Sequence, residues 1–324
     1  MIVQVEEFES IQPEWENILP HCSTNTIFTT PWLQILWWKH FSNGNKLIIL
    51  SIRNNAGIVG IAPLVSCNEE ITFLGGTDLF DCHDFLVRTG MEPEFYTVLW
   101  NHLIDLNWNT LNFGSLPANS PTLTYLPDAA KSSRIHLKIT EEDKSPVALL
   151  PNTWDEYIEG LSKKHRHELR RKLRRLEAQD SYIQYLCDDE RAVLENMDDF
   201  FRLHRASRPD KRAFLTPKRE RFFMDMAMDL VSRGQFKLSL LEIDNVRVAA
   251  SICMDYNGSL LLYNSGYDPN YSSLSVGLLN KALFIKQAIK DGKKSFDFLR
   301  GDERYKYHLG GIERSVYSMK IRRQ

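Results

Sequence analysis

The stretch 259-SLLLYNSGYDPNYSSLSVGLLNKALFIKQAIKDGKKSFDFLRG-301 contains two short apolar runs on either side of a longer segment with helical periodicity. Residues 259–268 predict a strand, residues 276–292 a helix, and residues 295–301 a second strand. A loop of Asp, Pro, Asn and Ser separates the first strand from the helix. The order indicates a mixed sheet flanked by helices, in the α/β or α+β class.

The elements around this stretch occur twice in the chain. Upstream of it, residues 236–256 predict a hairpin with a tight turn at Asp244 and Asn245. The first half shows the same order of hairpin, strand, helix and strand, at residues 46–66, 71–76, 94–107 and 110–117. The shared order favours an internal duplication.

The length of 324 residues exceeds the usual size of one hydrophobic core, so we expect two domains. Residues 116–135 are rich in Pro, Ser and Asn, and this composition is typical of a connector. A boundary near residues 140–152 follows. The predicted domains are residues 1–145 and residues 146–324.

Composition and charge place the chain in the ordinary globular class, with 43% hydrophobic residues and a net charge of −2. The five cysteines are scattered and never spaced as C-x-x-C, which favours a reducing compartment over a disulfide framework or a zinc site. The N-terminus is acidic and resembles no secretory signal, and no segment has the ~20 apolar residues of a membrane helix. We therefore expect a soluble, cytoplasmic protein without membrane insertion.

The loop before the helix at 276–292 is a candidate anion site. The strand ends near Asn264, Ser265 and Gly266, and Ser275 is a plausible N-cap for a helix that opens with Val276-Gly277-Leu278. The first amides of a helix lack partners within the helix, and the dipole is positive there. A glycine in the first turn would let a phosphate approach the backbone. An ordinary capped helix without a ligand is the alternative.

Charged residues crowd the end of the last predicted strand, in 297-DFLRGDERYK-306. A helix starting at Asp302 would place Asp302 and Glu303 at its positive end. Tyr305 could serve as a proton donor and Asp297 as a base or an orienting group. Equally, Tyr305 could be a packing residue and Asp297 a polar residue at the sheet edge.

The predicted helix at 162–178, with Ser162 as its N-cap, has an apolar stripe of Leu169, Leu173 and Leu176. Residues 163–175 hold eight Lys or Arg and one acidic residue. Their net charge is +7, so the rest of the chain has a net charge of −9. Such a helix could bind nucleic acid, line a pocket for an anion, contact the acidic remainder of the protein, or face solvent.

Two other features suggest sites less strongly. The polar residues of 78-DLFDCHD-84 lie too close along one loop to converge on a metal ion, and no second cluster completes a ligand set. We expect no metal site. His204 is a lone histidine on a helical pattern, and it suits either a groove or a satisfied core position.

Several motifs together resemble a known family. They are S-G-Y-D-P-N-Y (265–271), S-V-G-L-L (275–279), D-F-L-R-G-D-E-R-Y-K (297–306) and the segments 154–177 and 241–250. Over about residues 150–320 the chain resembles the acetyltransferase-like domain of the GNAT superfamily. More closely, it resembles the CelD-type proteins of bacterial exopolysaccharide clusters, relatives of the Fem-type peptidyltransferases.

The resemblance implies two tandem GNAT-like domains, the N-terminal one degenerate, and acetyl-CoA or another acyl-CoA as donor. The N-terminal half, with its aromatic helix at 30–41, is also similar to the corresponding half of this group. GNAT enzymes bind the donor pyrophosphate at the helix after the fourth strand, although only S-V-G of the glycine-rich signature is present here. The implied cofactor-binding residues are Asn264, Ser265, Gly266, Ser275, Val276, Gly277 and Leu278.

The resemblance also implies a mechanism of direct acyl transfer. Tyr305 stands where many members have the general acid, and Asp297 is the candidate base, with Glu242 and Asp268 as rivals. The expected acceptor is an amino sugar, a polysaccharide precursor or a similar molecule. The candidate substrate-binding residues are Arg300, Asp302, Lys306, Arg166 and Arg170.

Two alternatives stay open on the sequence. A Fem-type aminoacyl transferase would use charged tRNA, which suits the basic helix, but the long coiled-coil arm of several such enzymes has no counterpart here. A non-catalytic binding protein would keep both folds without the chemistry.

Overall fold

The structure is a computed structural model that describes residues 1–323. The chain forms two compact units. The first comprises residues 1–144 and the C-terminal segment from Arg314, and the second comprises Ser145–Glu313.

The elements of residues 1–144 alternate between helices and strands. They are β1 (Ile2–Glu6), α1 (Phe8–Ile18), α2 (Pro31–Phe41), β2 (Lys46–Asn54), β3 (Gly57–Cys67), β4 (Glu70–Phe73), β5 (Leu86–Val87), α3 (Glu92–Asp105), β6 (Thr110–Pro117), α4 (Pro121–Ala130) and β7 (Ile135–Lys144). Short 3-10 helices cover Leu19–His21 and Ile27–Thr29.

The elements after residue 144 begin with a short strand and a run of helices. They are β8 (Val147–Leu149), α5 (Trp154–Gly160), α6 (Lys163–Glu177), β9 (Tyr182–Cys187), α7 (Glu190–Ser207), α8 (Pro209–Phe214), α9 (Pro217–Ser232), β10 (Phe236–Ile243), β11 (Val246–Tyr256), β12 (Ser259–Tyr267), α10 (Val276–Lys290), β13 (Ser295–Asp297), α11 (Arg304–His308) and β14 (Ser315–Arg323). A 3-10 helix over Pro269–Leu274 precedes α10.

The sheet of the first unit has the order β1-β2-β3-β4-β6-β14-β7, with β5 beside β3, over the described residues. Only the pair β4·β6 is parallel within this order, and α3 connects its two strands. Leu99, Leu103 and Phe113 are among the fully buried side chains that form the core between this sheet and α3. The last strand of the chain, β14, lies between β6 and β7.

The sheet of the second unit has the order β8-β13-β12-β11-β10-β9 within residues 1–323. β12 and β13 are parallel and are connected by α10, which repeats the arrangement of β4, α3 and β6. The pairing between them covers only Ser259–Leu261 of β12. Tyr263 is an extra residue in β12, because the register against β11 shifts between Ile252 and Cys253. The two strands therefore separate beyond Leu261.

The α/β class predicted from the sequence is confirmed, and both units contain the predicted order of hairpin, strand, helix and strand. The apolar stripe of α6 is also confirmed, since Leu169 and Leu176 are buried and Leu173 packs against the same core. Ser162 accepts a hydrogen bond from the His165 amide at 3.3 Å, as expected of an N-cap.

Three local expectations were wrong. The supposed connector at 116–135 contains α4, whose N-cap Ser120 accepts a hydrogen bond from the Thr122 amide at 3.1 Å. The strand expected at 295–301 ends at Asp297. The helix expected from Asp302 begins at Arg304. Among residues 1–323, none of the helices has both the length and the apolar character required to cross a membrane.

The end of the chain also differs from the expected division into residues 1–145 and 146–324. Residues from Arg314 onward group with the first unit, because β14 forms long ladders with β6 and β7. Val316, Met319 and Ile321 of β14 are buried, the latter two in the core of the first unit.

Candidate active site

A cavity of about 410 Å³ lies in the second unit, at the end of β12. Its walls come from the start of α8, the 3-10 helix before α10, the first turns of α10 and the segment leading into α11. The lining residues are Ser207, Arg208, Lys211, Ser265, Tyr267, Ser272, Ser275, Val276, Gly277, Leu278, Lys281, Glu303 and Tyr305. The two motifs singled out in the sequence, around Ser275 and around Tyr305, therefore contribute to one cavity.

The N-terminus of α10 forms one wall. Neither the amide of Val276 nor that of Gly277 donates a hydrogen bond within residues 1–323. Ser275 has φ 59° and does not cap the helix with its side chain, because its Oγ accepts a hydrogen bond from Lys172 Nζ of α6 at 2.5 Å. The helix thus offers two free amides at its positive end, with an ammonium beside them.

Gly277 has a packing role. A Cβ atom at this position would lie 3.0 Å from the ring of Tyr267, closer than most real Cβ contacts. The glycine lets α10 pack directly on the end of β12, and this contact brings the free amides to the cavity.

Tyr305 also lines the cavity, as the second residue of α11. Burial raises the pKa of its hydroxyl well above the usual value, and the nearby Glu303 carboxylate acts in the same direction. The hydroxyl is therefore protonated throughout the neutral range. The ring packs edge-on against Phe298, with centroids 6.2 Å apart, and Lys281 Nζ lies 4.9 Å from its centroid.

Two lysines of the cavity were missed by sequence reasoning. Burial lowers the pKa of Lys281 to about 7 and that of Lys211 to about 8, and the Lys211 ammonium further lowers that of Lys281. Lys211 Nζ donates to the Ser265 carbonyl oxygen. A signal existed for Lys281, because the residues three or four positions away on the same face of α10, Leu278, Phe284 and Ile285, are apolar. Lys211 stands in a charged segment and gives no such signal.

Lys306 is inside the loop that follows β13. Its side chain is 2% exposed, and its Nζ donates to the carbonyl oxygens of Leu299, Arg300 and Gly301 at 2.8–3.0 Å. Leu299 has φ 55°, an uncommon conformation for a leucine. The ammonium stabilises this backbone turn, which leads into Glu303 and Tyr305. Lys306 does not line the cavity.

Asp297, the candidate base, is also outside the cavity lining. Its Oδ1 accepts a hydrogen bond from the Leu299 amide at 2.8 Å, and this bond supports the same turn. The rival Asp268 accepts a hydrogen bond from the Asn270 amide at 2.9 Å and caps the 3-10 helix.

The structure does not bring the other candidate substrate-binding residues to the cavity lining. Arg166 and Arg170 of α6 both form ion pairs with Glu159, at 2.8 and 2.5 Å. Asp302 accepts a hydrogen bond from the hydroxyl of Tyr307, and Arg300 contributes its carbonyl oxygen to the Lys306 ammonium.

Asn264 and Gly266 lie on the side of β12 that contacts α7. Asn264 Oδ1 is 2.9 Å from Nε2 of His204, which is 1% exposed. Burial lowers the pKa of His204 to about 4, assisted by the Lys211 ammonium, so the imidazole is neutral at pH 7. His204 is therefore a buried hydrogen-bonded residue behind the cavity.

Replacing Gly266 by alanine is expected to destabilise the second unit by about 1–3 kcal/mol. A Cβ atom there would lie 2.3 Å from the backbone nitrogen of His204, and the backbone of α7 cannot move aside as a flexible side chain could. Chemical denaturation would measure the loss. Gly160→Ala is the matched control, since a Cβ atom at Gly160 meets nothing within 4 Å. Equal stability of the two variants would contradict the close packing of α7 on β12.

Residues 163–307 match the family model described as an acetyltransferase (GNAT) domain. No curated protein matches the chain. The matched residues all lie in the second unit, and the match supports an acyltransferase of the GNAT type.

Solved structures with a similar fold cover nearly the whole chain. A crystal structure of FemX has a TM-score of 0.65 at 10% identity, over 98% of this chain and 97% of that one. The C-terminal domain of a putative lysylphosphatidylglycerol synthetase from Agrobacterium fabrum has a TM-score of 0.60 at 9% identity, over 97% and 92%. A tandem GNAT protein from the clavulanic acid biosynthesis pathway has a TM-score of 0.52 at 11% identity, over 98% and 97%. At these identities the likeness concerns the fold.

Proposed function

We propose that the chain is an acyl-CoA-dependent N- or O-acyltransferase, with acetyl-CoA or another acyl-CoA as donor. The resemblance to CelD-type proteins points to an amino sugar or a polysaccharide precursor as the acceptor. One observation carries the proposal: the free amides of Val276 and Gly277 and the protonated hydroxyl of Tyr305 belong to one cavity.

The donor's phosphates suit the N-terminus of α10. Two unpaired amides and the helix dipole favour an anion there. Lys172, which reaches Ser275, adds a positive charge at the same place. Arg208 and Lys211 line the cavity as further cations.

The chemistry needs a polarised thioester carbonyl and a proton for the leaving sulfur. In the proposed mechanism backbone amides near Asn264 and Ser265 polarise the carbonyl. The acceptor's nitrogen or oxygen attacks the carbonyl carbon, the carbon–sulfur bond breaks, and Tyr305 donates its proton to the thiolate.

Calorimetric titration with acetyl-CoA tests the donor assignment. Wild type is expected to bind with micromolar affinity, and Gly277→Asp is expected to weaken binding at least about tenfold more than Gly277→Ala does. Both variants place a Cβ atom against Tyr267, so only the carboxylate distinguishes them. A carboxylate at the end of α10 repels the phosphates and occupies the amides.

Absence of acetyl-CoA binding by wild type would contradict the proposed donor. Equal affinities of the two Gly277 variants would contradict the location at α10. Adenosine 3′,5′-bisphosphate, titrated alongside, separates recognition of the nucleotide phosphates from recognition of the acyl arm.

A second candidate donor is aminoacyl-tRNA, and α6 favours it. Lys163, Lys164, Arg174 and Arg175 of this helix form no ion pair within residues 1–323. Lys172 of the same helix contacts Ser275 at the cavity. Salt-sensitive binding of tRNA, with no binding of acetyl-CoA, would favour this donor.

A further inference from the structure

Lys281 is a buried cation with little to compensate its charge. Its side chain is 5% exposed, one turn into α10. Its Nζ has a single hydrogen-bond acceptor among residues 1–323, the Gly277 carbonyl oxygen of its own helix, at 2.9 Å. No carboxylate of the described chain forms an ion pair with it. An ammonium has three donors, so two remain for the cavity that Lys281 lines.

Titratable or charged groups face Lys281 from several of the elements around it. Lys211 faces it from α8, Cys253 from β11, and Glu303, Tyr305 and Lys306 from the end of the chain's second unit. The two other ammoniums disfavour a charge on Lys281, whereas the Glu303 carboxylate favours it, as Cys253 would if it were ionised. Cys253 is a neutral thiol, because burial raises its pKa far above the usual value. The uncharged amine is therefore well populated near neutral pH.

The other groups of the cavity are poor proton acceptors. Burial raises the pKa of Glu303, but Lys306 Nζ at 3.0 Å outweighs this and holds it below the usual range. Tyr305 is protonated. Asp297 lies outside the cavity lining and accepts a hydrogen bond from the Leu299 amide. Lys211 also lines the cavity, but its pKa of about 8 is higher than that of Lys281, and its Nζ donates to the Ser265 carbonyl oxygen. Lys281 is therefore the cavity side chain better suited to remove a proton at neutral pH.

We propose that Lys281 is the proton acceptor of the acyl transfer. This inference rests on the proposed function and replaces Asp297 in the role of base. The uncharged amine takes the proton from the attacking nitrogen or oxygen of the acceptor while the new bond to the carbonyl carbon forms. The carbon–sulfur bond breaks, and Tyr305 protonates the sulfur.

The position of Lys281 over the ring of Tyr305 couples the two proton transfers. Once protonated, Lys281 is a cation 4.9 Å from the ring centroid and stabilises the phenolate that Tyr305 becomes. The ammonium then returns its proton to the phenolate, and both groups regain their starting state. One proton has moved from the acceptor to the thiol, with no net gain or loss by the enzyme.

The test measures the release of free thiol from acetyl-CoA, with glucosamine or water as acceptor, across pH 5.5–9. For wild type, kcat/KM is expected to rise with pH and level off as Lys281 loses its proton. Lys281→Met and Lys281→Arg are both expected to lower it about a hundredfold or more and to remove this rise. Lys286→Met, at an exposed position on the same helix, is the matched control and should behave as wild type.

The arginine variant separates a base from a cation. Arginine keeps the positive charge and cannot lose its proton, so activity retained in Lys281→Arg would overturn the inference. NMR titration of the lysine side chains, with the Lys281 signal assigned by its absence in Lys281→Met, provides a readout without turnover. A Lys281 that stays charged up to pH 9 would also overturn it.

Different outcomes would contradict the proposed function and the role of Lys281. If wild type neither binds acetyl-CoA nor releases its thiol, the donor is wrong, and the role of Lys281 in that reaction falls with it. If wild type binds and turns over acetyl-CoA while Lys281→Met keeps its full rate and pH profile, only the role of Lys281 is removed.

Discussion

Replacing Tyr305 by phenylalanine is expected to lower kcat of acyl transfer about 10²–10⁴-fold while leaving the affinity for acetyl-CoA unchanged within about twofold. The substitution removes one hydroxyl and keeps the ring that packs edge-on against Phe298. The departing thiolate then lacks its proton donor. Steady-state kinetics of thiol release, beside calorimetric titration with acetyl-CoA, would separate the loss of rate from a loss of binding.

Tyr182→Phe is the matched control for this variant. Tyr182 lies on β9, the edge strand of the same sheet, and its side chain is exposed. Removal of its hydroxyl should leave both kcat and affinity unchanged. A Tyr305→Phe enzyme with the kcat of wild type would show that another group, or water, protonates the sulfur.

Local sequence patterns predicted the hairpin, strand, helix and strand that both units share. The turn residues Asn54, Gly57 and Asp244, together with the apolar runs beside them, were sufficient to predict both hairpins. The helix α4 was missed because the Pro and Ser residues of 116–135 were taken as a connector. Ser120 followed by Pro121 is also a signature of an N-cap and a first helical residue, and in the structure it has that role.

The candidate site was predictable only where a local pattern indicated it. The free helix end at Val276 and Gly277 and the tyrosine after β13 both followed from local order, and both line the cavity. The surroundings of Lys281 were not predictable, because its burial depends on α8, β11 and the turn after β13. For the same reason, nothing in the spacing of Asp297 and Lys306 showed that they stabilise a turn beneath Tyr305.

The C-terminal strand was assigned to the wrong unit because a sequence gives the order of strands along the chain and not their order in a sheet. Residues 315–323 follow the second unit without a turn motif that would assign them to either sheet. In the structure β14 pairs with β6 through Met319 and Phe113, and with β7 through Met319 and Ile139. The first unit therefore depends on residues that lie some 170 positions after the rest of it.

Replacing Met319 by aspartate is accordingly expected to destabilise the first unit by about 4 kcal/mol or more, although position 319 follows the second unit in sequence. Met319 is 0% exposed and belongs to the core that includes Phe113 and Leu111. A carboxylate there is buried among apolar side chains. Because β14 pairs with both β6 and β7, the substitution also destabilises both of these strand pairings. Loss of the side chain's apolar contacts adds to the cost of burying the charge.

Tryptophan fluorescence can measure this effect in the intact protein. Six of the seven tryptophans lie in the first unit, and Trp154 alone lies in the second. The thermal transition seen by fluorescence should fall by many degrees in Met319→Asp, because a loss of 4 kcal/mol is a large part of the stability of a domain.

Arg322→Asp is the matched control, because Arg322 is in the same strand and its side chain is exposed. The free energy of unfolding of this variant should stay within about 0.5 kcal/mol of the wild-type value. If Met319→Asp left the fluorescence transition unchanged, the strand could not be part of the first unit's core. Its residues would then have to be assigned to the unit that precedes them in the chain.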